Sequence, residues 1–267
     1  MIGHHIATID GVEMAYVAAG EGDPLVLIHG LSGSTRWWNR NIGPLAEHFR
    51  VYALDLAGFG RSRRGGRFVL NEAADQLARW MTHIGIESGY LVGHSMGGFI
   101  SADLAARQPR RVARLVLVAA AIFPREHDPR QPYLGLARSF RYTPVRFLPL
   151  LATDALRAGP VTLTDAAWQL LHPSASPDPG QIITPTLLIW GERDTVVPRD
   201  IGERLAGEMP NADLRIINGA GHNVMWDRPT DFNHLVAAFL DSTSPPESNE
   251  ETNDRNTNIP PCQHYQP

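Results

Sequence analysis

The chain has 267 residues, 43% of them hydrophobic and 19% charged, with a net charge of −4. That is enough chain to bury a substantial core without metal or disulfide support, and the charge balance carries no footprint for nucleic acid. The one cysteine, Cys262, cannot form an internal disulfide.

The first residues lack the basic region and apolar run of a signal peptide, and no stretch reaches the ~18 apolar residues of a membrane span. A cytoplasmic protein is the expectation. Residues 4–9 and 12–19 alternate weakly around Asp10-Gly11, which reads as a hairpin. Apolar runs then recur at 25–28, 51–54, 90–92, 115–118, 186–190 and 214–217. Strands apolar on both sides belong to a buried, mostly parallel sheet. Helical spacing marks 71–84, 96–106, 199–209 and 231–240 between them. Strands alternating with helices predict an α/β fold with a doubly wound, mostly parallel sheet.

Two regions break the alternation. Residues 122–181 are rich in proline, arginine and aromatics, with short helical pieces and no strand run. They read as a helical insertion between two strands of a core formed by 1–121 and 182–241. Residues 242–267 hold almost no large apolar groups and read as a disordered tail.

Gly93-His94-Ser95-Met96-Gly97-Gly98 follows one predicted strand and opens a predicted helix. In Gly-x-Ser-x-Gly the serine occupies a strained turn. The positions two before and two after it must lack side chains so that strand and helix can approach. The turn lifts the hydroxyl above the sheet and sets the Met96 N–H at a helix N-terminus, where it can face an oxyanion. Ser95 is therefore the candidate nucleophile.

With this motif and four more in order, the chain resembles the α/β-hydrolase superfamily, as an esterase-like member with a Ser-His-Asp triad and a short lid. The resemblance covers about residues 5–241. His29-Gly30-Leu31-Ser32-Gly33 matches the loop that gives such enzymes a second oxyanion donor, here the Leu31 N–H. His29 itself reads as a structural residue of that loop. Asp55-Leu56-Ala57-Gly58-Phe59-Gly60-Arg61-Ser62 resembles a structural turn of the family, with Asp55 bonding local N–H groups. The run 190–198 ends a strand with Asp194 at the position of the triad acid; Glu192 is the local competitor. Gly219-Ala220-Gly221-His222 matches the base, completing the order serine, acid, histidine of this fold.

The resemblance implies a serine carboxylic-ester hydrolase of the carboxylesterase kind. It would act without cofactor or metal, as a monomer or homodimer, on small, mainly apolar esters through an acyl-enzyme. Residues 122–181 would form the lid, with Phe123, Phe140, Tyr142 and Trp168 as candidate substrate contacts and a fairly open site. A lactonase, a thioesterase, a carbon–carbon hydrolase or a slow small-ligand receptor are the alternatives. His94 and Leu31-Ser32 depart from the pattern of the carbon–carbon enzymes. Arg61, Arg63, Arg64 and Arg67 form a basic loop patch, read as solvated.

Overall fold

A computed structural model describes residues 2–124, 128 and 130–242. The tail expected to be disordered lies, beyond Ser242, outside the described residues, as does Cys262.

Strands β1 (Gly3–Ile9) and β2 (Val12–Ala19) form the expected hairpin. Asp10 and Gly11 both take positive φ, 51° and 82°, which suits a two-residue turn matched to strand twist. Six further strands follow: β3 (Pro24–Ile28), β4 (Arg50–Leu54), β5 (Gly89–His94), β6 (Val112–Val118), β7 (Thr186–Gly191) and β8 (Ala212–Ile217). The eight make one sheet in the order β1-β2-β4-β3-β5-β6-β7-β8. β2 is antiparallel to β1 and β4, and all pairs from β4 onward are parallel.

Helices cover both faces, as a sheet apolar on both sides requires. They are α1 (Ile42–Leu45), α2 (Leu70–His83), α3 (Met96–Arg107), α4 (Gln131–Ser139), α5 (Leu148–Leu171), α6 (Arg199–Glu208), α7 (Val224–Asp227) and α8 (Pro229–Asp241). One buried cluster holds Leu77, Trp80, Ile100 and Leu188, among others. A second, on the opposite face, holds Leu25, Trp38, Ile189 and Phe232. Alternate residues of β7, Leu188 and Ile189, thus fall in different clusters, which follows from the two-residue period of a strand.

The connections position the site. From β3 the chain crosses to β4 on one side, then returns to add β5 on the other side of β3. The loops after β3 and β5 therefore leave the sheet's carboxyl edge side by side, where open α/β sheets hold their ligands. The segment between β6 and β7 carries α4 and α5. α5 is interrupted at Gly159, whose φ of 78° and ψ of 159° separate two helical pieces before Pro160.

Candidate active site

Ser95 sits between β5 and α3 with φ 53° and ψ −113°, a strained conformation for a residue with a side chain. The flanking glycines are a steric necessity. A Cβ on Gly93 would overlap the Gly97 carbonyl, and one on Gly97 would overlap the Ile28 carbonyl. Ser95 N–H donates to the Val118 carbonyl at 2.9 Å, and the Ser95 carbonyl accepts from Phe99 and Ala121 at 3.1 Å each. The turn is thus bonded to β6, to the helix it opens and to the segment after β6.

Asp194 follows β7 and His222 follows β8. His222 Nδ1 lies 2.8 Å from Asp194 Oδ2. The carboxylate can only accept this bond, so the proton is on Nδ1 and Nε2 is left as an acceptor. The other carboxylate oxygen, Oδ1, accepts from the N–H groups of Val196 and Val197 at 2.9 and 3.0 Å. The Asp194 side chain is fully buried. Glu192, by contrast, accepts from Gly219 N–H at an exposed position and does not reach His222. Ser95 and His222 line one cavity. No hydrogen bond joins the Ser95 hydroxyl to His222 among the described residues; such contacts commonly tighten only when substrate is bound.

The loop after β3 lies against the nucleophile: a Cβ built on Gly30 would stand 3.1 Å from Ser95 Cβ. The loop is held by His29, which is fully buried. Leu56 N–H donates to His29 Nε2 at 3.1 Å, so Nδ1 carries the proton and donates to the Gly30 carbonyl at 2.8 Å. Burial, opposed by the charge of Asp55, lowers the His29 pKa. Asp55 is buried and does more than the local bonding expected of it. It accepts from Arg61 N–H at 2.8 Å and from Thr35 N–H, twenty residues away, at 2.6 Å. No described hydrogen bond within the fold uses the N–H of Leu31 or Met96.

His94, next to the nucleophile, is a residue to which the sequence attached no role. It is fully buried, and its Nε2–H donates to the His222 carbonyl at 3.0 Å. Its ring lies 4.8 Å from that of His222. Burial, reinforced by His222, lowers its pKa well below the ordinary histidine value, so the ring stays neutral beside the base. Asp227 accepts from Gly221 N–H at 2.8 Å, steadying the loop that carries His222. Burial pushes its carboxyl up to about 6 despite that bond and the nearby His222 and Arg228.

The cavity measures about 590 Å³. Phe123, Phe140 and Trp168 line it, together with Leu31, Leu163 and Val196. Tyr142 does not: it stands beyond the end of α4, in a small recess with Gly221, His222 and Asp227. The aromatic content of the segment does not tell which of its rings face the cavity. Trp37 and Asn223 also line the cavity, and only tertiary packing reveals them. Among the lining residues described there is no arginine, lysine, aspartate or glutamate. The basic loop of Arg61, Arg63, Arg64 and Arg67 is elsewhere, with Arg67 paired to Asp165 of α5.

The family model of the alpha/beta hydrolase fold matches residues 23–176 and 163–229. A 2-hydroxy-6-oxononadienedioate/2-hydroxy-6-oxononatrienedioate hydrolase of Burkholderia vietnamiensis is 32% identical over 86% of this chain and 92% of its own length. Among solved structures, a meta-cleavage product hydrolase from Pseudomonas fluorescens superposes with a TM-score of 0.75 at 27% identity, covering 90% of this chain and 97% of that one. A bacterial membrane phospholipase A superposes at 0.76 and 29% identity, covering 90% and 86%.

Proposed function

We propose, for a chain that belongs to the alpha/beta-hydrolase family, hydrolysis of neutral, mainly apolar carboxylic esters through an acyl-enzyme on Ser95. The observation that carries this reading is the bond to buried Asp194 from His222, which lines one cavity with Ser95 on its strained turn.

The chemistry follows from the groups present. His222 Nε2, free to accept, takes the Ser95 proton as Oγ attacks the ester carbonyl carbon. The tetrahedral oxyanion is held by the unused N–H groups of Leu31 and Met96. The carbon–oxygen bond to the alcohol breaks, and His222 gives its proton to the leaving oxygen. Water, deprotonated by the same nitrogen, then attacks the acyl-serine and releases the acid. Asp194 fixes the productive tautomer throughout. Each oxyanion donor supplies roughly 3–4 kcal/mol to the transition state. The helices α4 and α5 serve as the lid of this site, with Phe123, Phe140 and Trp168 contacting the acyl or alcohol chain.

The similarity to the Burkholderia enzyme favours a second reading, carbon–carbon bond hydrolysis of a ring-fission product. That relative's named substrate is a dicarboxylate. A carboxylate taken into an apolar cavity costs several kcal/mol unless it is paired. The lining residues described here provide no cationic partner, and His94 is neutral. The ester reading is the better supported.

A fluorophosphonate probe is expected to label the wild type and not Ser95→Ala. Turnover of p-nitrophenyl butyrate should fall on the order of 10⁶-fold in that variant. Full activity without Ser95 would end the proposal. Turnover of the dienedioate exceeding that of neutral esters would replace it with the second reading.

A further inference from the structure

Twelve large apolar side chains are exposed among the described residues, and nine of them fall between Tyr133 and Trp168. Four of these, Tyr133, Leu136, Phe140 and Trp168, also line the cavity. Being 47–62% exposed, they form an apolar rim at its mouth. A contiguous apolar surface of this kind on a water-facing protein marks an interaction site.

The charges around the rim indicate what it meets. On α4, Tyr133 and Leu136 are spaced along one helical face with Phe140 at the C-terminal cap, Leu134 and Arg138 lie on the adjoining face, and Arg141 follows just beyond the helix. Arg130, Arg138, Arg141 and Arg146 are all exposed, and no ion pair joins their guanidinium groups to an acid among the described residues; the Arg130 backbone N–H donates to Asp128. From residue 130 to 171 there are only two acidic residues. Asp154 is buried, and Asp165 is occupied by Arg67. The segment that carries the exposed apolar rim thus also carries four exposed arginines, in a chain of net charge −4.

We propose that this rim docks on an anionic lipid surface. The apolar side chains would enter the boundary of headgroup and acyl chain while the arginines meet lipid phosphates, so that the cavity mouth opens against the bilayer. The attachment is peripheral, because no described helix is long and apolar enough to cross a membrane. A second copy of the chain is the poorer occupant: a symmetric pairing of this face would set arginines against arginines.

The docking does not depend on turnover, so it is tested on the full chain carrying Ser95→Ala as well as on the wild type. Co-sedimentation with vesicles of phosphatidylglycerol and phosphatidylcholine is expected to be at least tenfold tighter than with phosphatidylcholine alone, and to weaken in about 0.5 M salt. The variant Leu134→Ser/Arg138→Gln/Arg141→Gln should lose that preference and still hydrolyse a water-soluble short-chain ester at the wild-type rate. None of its three positions lines the cavity. If that variant melts early, Arg138→Gln/Arg141→Gln and the salt series on the wild type carry the test. No vesicle binding, equal binding to both lipids, or undiminished binding by the variants would overturn the proposal. So would a concentration-dependent dimer that the same substitutions abolish, which would assign the face to a second copy.

Discussion

At the scale of single residues, the site is a set of side chains held by groups that do no chemistry themselves. Asp194 spends one oxygen on two backbone N–H groups and the other on His222. Asp194→Asn can keep the shape but presents its amide without control of the imidazole tautomer. Turnover is expected to fall about 10⁴-fold with the melting temperature nearly unchanged; unchanged turnover would mean that another acid orients the base. Asp227 gives a different signature. Its folded carboxyl titrates near 6, above the ordinary 3.8, because burial penalises its charged form. Between those values the folded chain binds more protons than the unfolded one. Stability from this group is therefore present at low pH and lost as pH rises through about 6. Asp227→Asn keeps an acceptor for Gly221 N–H and carries no charge to bury. It should raise the melting temperature over wild type more at pH 8 than at pH 5, as thermal melts at the two pH values would read. A larger gain at pH 5 would contradict the assignment.

At the scale of elements, α4 and α5 are pinned to the loops that carry the candidate site. Gly135 of α4 packs so closely on Thr195 that a Cβ would overlap the Thr195 carbonyl, and Thr195 Oγ1 donates to the Gly135 carbonyl at 2.8 Å. Thr195 is the neighbour of Asp194. From α5, buried Asp154 accepts from Ser34 Oγ at 2.6 Å and from Arg36 Nη1 at 3.0 Å. Those two residues lie just after the His29–Gly33 loop. The segment between β6 and β7 thus touches both the loop that carries Asp194 and the loop that carries Leu31. In Asp154→Ala the half-exposed Arg36 can turn to water, and the buried Ser34 hydroxyl loses the acceptor for its proton. The expected loss is about 1–3 kcal/mol in a urea unfolding series. A change within about 0.5 kcal/mol, the range of ordinary surface substitutions, would show that the pair holds nothing.

At the scale of the whole molecule, the sequence by itself determined the alternation of strands and helices, the hairpin at Asp10-Gly11, and the family to which the chain belongs. Those features rest on local rules: a two- or 3.6-residue period, a turn that needs positive φ, and glycines where two backbones meet. The candidate triad was legible for a related reason. Ser95, Asp194 and His222 each follow a strand, and parallel strands deliver such ends to one edge of the sheet. What only the tertiary structure decided depends on partners far apart in the chain. The order that sets β3 beside β5, and so the Leu31 loop beside Ser95, comes from crossovers that periodicity does not encode. The bond from His94 to the His222 carbonyl spans 128 residues, and that from Ser34 to Asp154 spans 120. The absence of arginine, lysine, aspartate and glutamate among the described cavity residues became visible only once those distant segments shared one surface.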